Sequence, residues 1–183
     1  MGRLFIISGA SGVGKSTVLK KVFSARDDLR FSVSATTRLP RPGEVDGEHY
    51  YFVSKETFEK MISEDAFLEY SAHAANYYGT PRQQLEDKLK YGDVVLDIEP
   101  NGAFQVLKKR EDAILIFIMP PSMEELSRRL NNRGDTSEEQ IKIRLARADW
   151  EISQSVLYHH IVINNQVDTC AEEILNIIAG TAN

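Results

Sequence analysis

Short apolar runs along the chain alternate with segments whose apolar residues recur every three or four positions. Residues 4–8 (LFIIS) are the first run and predict a strand; after a Gly-rich turn, Val18, Leu19, Val22 and Phe23 fall at helical spacing. Residues 94–98 (VVLDI), 113–119 (AILIFIM) and 160–163 (HIVI) predict further buried strands. Residues 172–179 predict a closing helix, with Asp168 placed to cap it. Strands and helices in this alternation predict an α/β class, a mostly parallel sheet flanked by helices.

Two regions break the rhythm. Between residues 31 and 91, strand-like pieces (FSVSA, YYFVS, FLEYSAHA) stand around one helical stretch at 55–62, which predicts an α+β insertion. Residues 122–152 carry two helical patterns separated by the polar break NNRGDTS. Ser122 with Glu125 and Ser137 with Gln140 match capping boxes, so both helices have a defined start. In the second helix Ile141, Leu145, Ala148 and Ile152 form one apolar stripe.

Composition narrows the classes. The chain has 183 residues, 42% hydrophobic and 27% charged, which fits one compact soluble unit with a real core. Its 22 Lys+Arg against 27 Asp+Glu leave a net charge of −5. That argues against nucleic-acid binding, which demands an extended basic face, so any bound anion is expected to be small and met by a local cluster. The longest apolar run, 113–119, is too short for a bilayer, and the opening residues lead straight into a strand with no room for a signal peptide. Cys170 is single, which excludes an internal disulfide, and His49, His73, His159 and His160 show no metal-ligand spacing. A cytoplasmic protein without a membrane partner, a monomer or small homo-oligomer, is the expectation.

Residues 9–16 (GASGVGKS) fit G-x-x-x-x-G-K-[ST], with a hydrophobic strand before and a helical pattern after, as that motif requires. Such a loop turns its backbone N–H groups toward phosphate oxygens, and the following helix adds its positive N-terminal end. Gly9, Ala10, Ser11, Gly12, Val13, Gly14, Lys15 and Ser16, with Thr17 after them, are therefore expected to bind a nucleotide triphosphate. Lys15 would reach the outer phosphates and the Ser16 hydroxyl would ligate Mg²⁺. Asp97 ends a buried run and presents a second acid at the strand end where ligands bind in open α/β sheets.

Residues 34–52 (SATTRLPRPGEVDGEHYYF) concentrate two cations, Arg38 and Arg41, in a Pro/Gly-stiffened turn. The planar forks of two arginines suit a phosphate dianion. Taken singly, Tyr50 and Tyr78 also read as core aromatics, Glu69 as a solvated strand residue and Thr80, before Pro81 and Gln83, as a helix start. Asn164 reads as a strand-end turn cap as readily as a ligand contact.

The sequence resembles the guanylate kinase family. After the P-loop the family reads S-x-T-T-R-x-P-R-x-G-E-x-x-G-x-x-Y, which stands here as Ser34, Thr36, Thr37, Arg38, Pro40, Arg41, Gly43, Glu44, Gly47 and Tyr50. F-x-E follows at Phe67 to Glu69, N-Y-Y-G-T at Asn76 to Thr80 and L-D-I at Leu96 to Ile98. P-P-S, R-L-x-x-R-G, R-L and a late Asn follow at Pro120, Arg129, Arg144 and Asn164. The resemblance implies a P-loop core (about 1–32, 93–121 and 153–183), a nucleoside-monophosphate lobe (about 33–92) and a helical lid (about 122–152). It implies transfer of the γ-phosphoryl of ATP to GMP with Mg²⁺.

Residue by residue, the resemblance gives Arg38, Arg41, Tyr50 and Tyr78 to the GMP phosphate, steadied by Glu44. It gives Glu69 to guanine N1–H and the 2-amino group, Ser34 and Thr80 to O6, and a place beside GMP to Asp97. Adenine presents the opposite pattern, so the same groups would stay unpaired against AMP. Lys15, Arg38 and the lid arginines Arg129, Arg133 and Arg144 are the implied catalytic cations, Asn164 the adenine-edge contact, and Ser16 the Mg²⁺ ligand, with Asp97 acting through water. The chain departs from the family at L-D-I-D-x-Q-G, where Glu99 and Asn101 replace Asp and Gln, and at N-D-D, which is Asn164, Asn165 and Gln166. Alternatives are a kinase preferring dGMP or IMP, and a non-catalytic binding module of the same fold.

Overall fold

The computed structural model describes residues 1–73, 75–131 and 137–180. In chain order its elements are β1 (Leu4–Gly9), α1 (Lys15–Ala25), β2 (Arg30–Phe31), β3 (Ala35–Thr36), β4 (Tyr51–Phe52) and α2 (Lys55–Ser63). β5 (Phe67–His73), β6 (Asn76–Pro81), α3 (Arg82–Leu89), β7 (Val94–Asp97), α4 (Pro100–Lys109) and β8 (Ile114–Met119) follow. α5 (Met123–Asn131), α6 (Glu138–Ser153), β9 (His160–Ile163) and α7 (Val167–Ala179) complete the chain. They fall into two compact units: Met1–Leu4, Asp28–Asp97 and Asn101–Ala113 in one, and Phe5–Asp27, Ile98–Pro100 and Ile114–Asn183 in the other.

In the second unit β1, β8 and β9 run parallel, with Ile7 opposite Ile116 and Val162 opposite Ile118. β1 is buried along its whole length, which is why it reads as an unbroken apolar run rather than an alternation. α1 buries Val18, Leu19 and Val22 and packs against α7, which buries Cys170, Ile174 and Ile178. Asp168 does not cap α7. The helix starts at Val167 after Gln166, five residues before the periodic stretch, so Asp168 lies inside the first turn and pairs with Lys21 instead. Both predicted caps are present on α5 and α6: Ser122 Oγ accepts the Glu125 N–H at 3.1 Å and Ser137 Oγ the Gln140 N–H at 3.3 Å. No helix among the described residues is long and apolar enough to cross a membrane.

The other unit carries a four-stranded mixed sheet in the order β4-β3-β6-β5 and a short parallel pair of β2 with β7. β5 and β6 form an antiparallel hairpin, β6 pairs antiparallel with β3, and β3 pairs parallel with β4. Its core is aromatic: Phe58 of α2 stacks on Phe67 at 4.3 Å and on Tyr77 at 5.2 Å, beside Ala35, Met61 and Ile62. β3 and β4 are two residues each, so the strand-like pieces of the sequence shrink here to brief pairings around long loops.

Candidate active site

The Gly-rich segment folds as a tight loop between β1 and α1, with the Val13 N–H donating to the Ala10 carbonyl at 2.9 Å. Gly12 has φ +90°, and a Cβ there would come within 2.6 Å of Leu130 Cδ2, so only glycine fits. Gly14 is the N-cap of α1 and offers no side-chain acceptor, and the first turn holds no acidic residue. Neither a side-chain cap nor a first-turn carboxylate therefore offsets the positive end of this helix, which suits an anion. Residues 9–17 line a cavity of about 330 Å³ together with Glu99, Arg144, Arg147 and Glu151. Sequence reasoning missed Arg147 and Glu151; their i,i+4 spacing on one helix was the available signal.

A second opening of about 240 Å³ is bordered by Gly12, Val13, Gly14, Thr17, Arg129, Asn164, Asn165 and Val167. Asn164 is 2% exposed; its Nδ2 donates to the Val13 carbonyl at 2.8 Å, while its Oδ1 is buried without a hydrogen bond among the described residues. A buried acceptor left unmet is costly, which points to a donor arriving with a ligand. Arg129 donates to Glu125 at 2.8 Å and to the carbonyls of Val13 and Asn164 at 3.2 and 3.0 Å, so it grips the back of the P-loop. Arg144 brings its Nε to 3.4 Å from Ser11 Oγ. Arg133 lies outside the described residues.

In the mixed-sheet unit the Arg41–Glu44 segment closes a turn, with the Glu44 N–H donating to the Arg41 carbonyl at 3.0 Å. Pro42 and Gly43, at φ +86°, occupy the central positions that a type II turn asks of Pro and Gly. The turn aims Glu44 at Arg38. The guanidinium gives two parallel hydrogen bonds of 2.9 Å, and the Arg41 N–H donates a third to the same carboxylate at 2.7 Å. These bonds, the Arg38 fork first, draw the Glu44 carboxyl down from 4.5 to about 2. The Arg38 guanidinium stands 5.4 Å from the Tyr50 ring and 5.8 Å from that of Phe52, and Tyr78 meets Tyr50 edge-on at 6.1 Å. Burial, and then the Asp97 carboxylate, raise the Tyr50 hydroxyl. Arg41 keeps an exposed side chain. Phe52 and Asp46, which accepts the Phe52 N–H at 2.8 Å, complete the loop and were missed in the sequence; His49 has a structural part there, accepting the Val45 N–H at 3.1 Å.

Glu69 and Thr80 face each other across the β5–β6 hairpin, next to an irregularity in register at Phe67 and Glu69. Glu69 is 4% exposed and Thr80 fully buried, so neither is a solvated residue nor a helix cap. The Thr80 hydroxyl donates to Glu69 Oε1 at 2.6 Å. Its one proton is thereby committed to the carboxylate rather than left for a carbonyl oxygen. Tyr78 and Thr80, two apart on β6, project from one face of the strand. Ser34 lies half-buried just before β3.

The chain is similar to known proteins along nearly its whole length. A family model described as guanylate kinase matches residues 1–181. A guanylate kinase from Thermus thermophilus is 49% identical over 178 residues, covering 97% of this chain and 80% of that protein. One from Prochlorococcus marinus is 45% identical and covered to 96% on both sides. The crystal structure of guanylate kinase from Anaplasma phagocytophilum superposes with a TM-score of 0.78 at 36% identity, over 98% of this chain and 85% of that one.

Proposed function

The chain belongs to the guanylate kinase family, and from that premise we propose how its residues divide the work. The protein is an enzyme that transfers the γ-phosphoryl of ATP to GMP, giving GDP and ADP. Phosphoryl transfer leaves little covalent chemistry to the protein, which positions the reactants and neutralises charge. The attacking GMP phosphate oxygen is already anionic, so no general base is required.

The mixed-sheet unit is assigned the acceptor. Arg38, Arg41, Tyr50 and Tyr78 bind its phosphate, with Glu44 holding Arg38 in place and Asp97 beside Tyr50. Glu69 accepts guanine N1–H and the 2-amino group. The observation that carries this reading is the buried Glu69–Thr80 pair: a carboxylate kept from water and oriented by a hydroxyl is poised for two donors on one edge. Thr80 then serves by positioning Glu69, and Ser34 is the donor assigned to O6.

The P-loop unit is assigned ATP. The loop of residues 9–17 cradles its phosphates, Lys15 reaches the outer ones, Arg144 adds charge, and Asn164 Oδ1 meets the adenine edge. Arg129 acts by gripping the loop, and residues 122–152 form the lid. Ser16, an exposed hydroxyl in the first turn of α1, fits a hard cation whose remaining ligands are phosphate oxygens and water. Mg²⁺ bound there would neutralise charge on the triphosphate.

A coupled ADP-release assay with GMP, dGMP, IMP, AMP and UMP as acceptors tests the assignment. GMP should be turned over and AMP should be disfavoured by about four orders of magnitude in kcat/KM, as expected when buried polar groups lose their partners. Comparable rates on AMP would remove guanine recognition from Glu69.

A further inference from the structure

Three charged side chains that the nucleotide assignments leave unused form one continuous chain on the P-loop cavity. Glu151, in the last turn of α6, is 3% exposed. Its Oε2 accepts the Ser11 backbone N–H at 2.6 Å, and its Oε1 accepts Arg147 Nε at 3.0 Å. Arg147 also pairs with Glu99. Contacts thus run from Glu99 through Arg147 and Glu151 to a main-chain N–H within the loop that is to receive ATP.

A carboxylate on the wall of an anion cradle needs a reason. Bare, it would repel the triphosphate, and buried without partners it would cost several kcal/mol. Arg147 meets the second objection by pairing with it and, with Arg144 on the same wall, offsets the first; burial alone, which would lower the Arg147 guanidinium, is overcome by Glu99 and Glu151, so that it is raised. What Glu151 then contributes is geometric. It fixes Ser11, immediately before Gly12, whose φ of +90° sets the turn of the loop. Arg144, three residues before Arg147 on the same helix, stands 3.4 Å from the Ser11 hydroxyl, so α6 approaches this residue through both main chain and side chain.

We propose that Arg147 and Glu151, steadied by Glu99, are positioning residues for the donor triphosphate, bracing the first half of the P-loop in its receiving shape. The proposal rests on the reading of residues 9–17 as the ATP cradle. It also accounts for the length of Glu99, because an Asp there would end one methylene, about 1.5 Å, short of Arg147.

Calorimetric titration of the full chain with Mg-ATP, and steady-state kinetics with GMP varied, test it. Arg147→Met should weaken ATP about tenfold while the KM for GMP stays within about twofold. Glu99→Asp should weaken ATP by less, and its effect should vanish once Arg147 is already Met. Glu151→Gln, which keeps an oxygen for the Ser11 N–H, should retain more ATP affinity than Glu151→Ala. Should the variants at the buried site fail to fold, Glu99→Asp carries the test alone, since that side chain is 42% exposed. Unchanged ATP affinity in these variants, additive effects of Glu99→Asp and Arg147→Met, or equal losses for ATP and GMP would overturn the brace. A wild-type chain that binds no Mg-ATP would instead refute the cradle reading on which it rests.

Discussion

Glu44 accepts three hydrogen bonds, two from the Arg38 fork and one from the Arg41 main chain, and so ties both arginines of the acceptor loop to one carboxylate. Charge-assisted paired bonds of this kind set direction as well as strength. Glu44→Gln should therefore release Arg38 and raise the KM for GMP about tenfold, with little change in that for ATP. Equal rises for both substrates would show the loop to be merely structural. Because the carboxyl lies at about 2 when folded against 4.5 ordinarily, the stability it contributes is full above about 4.5. That stability is lost as pH falls through about 2. The melting-temperature gap between wild type and Glu44→Gln should close across that window, and a gap independent of pH would count against the ion pair. The hydroxyl of Thr80 makes a related point: in the proposed acceptor site it would serve recognition by committing its proton to Glu69.

At the level of elements, the P-loop keeps its shape because α5 is packed on it. Leu130 of α5 lies against Gly12, leaving no space for a methyl group. Gly12→Ala combines that clash with a left-handed backbone, a strain of about 1–3 kcal/mol. It should lower the melting temperature by roughly 2–12 °C and weaken ATP binding; an unchanged melt would mean the loop relaxes freely. Much of this layer was legible in the sequence, because its signals are local. The strands β1 and β8 are buried on both faces and stand out as apolar runs, and the serines that cap α5 and α6 sit three residues from the N–H groups they serve. The apolar run of β9 misled: it is an edge strand that buries Val162 but exposes Ile161 and Ile163, not the buried strand expected there. The start of α7 was misplaced because its first turn, VDTCA, lacks the periodicity of its later turns. The i,i+4 spacing of Arg147 and Glu151 signals an ion pair but not a site, since what brings them to the cavity is the approach of α6 to Ser11, 140 positions before Glu151 in sequence. The Glu69–Thr80 bond was equally hidden: the types suggested guanine, but which group holds which depends on the register of the hairpin.

Across the whole molecule, the acidic total of −5 coexists with cations gathered at two proposed phosphate sites, one assigned to each compact unit. The assignment can be followed ligand by ligand. Amide hydrogen exchange should slow across residues 9–17 when Mg-ATP is added alone, and across residues 34–52 and β6 when GMP is added alone. GMP protecting residues 9–17 while leaving β6 untouched would reverse the division. Cys170 offers a practical way to follow such changes by other means. It is the single cysteine, fully buried in α7, with its thiol pushed up by burial to about 12. A thiol so shielded scarcely ionises at neutral pH and is a poor nucleophile. The native chain is thus chemically silent toward maleimide dyes, and a cysteine engineered onto the surface would take up a fluorophore alone.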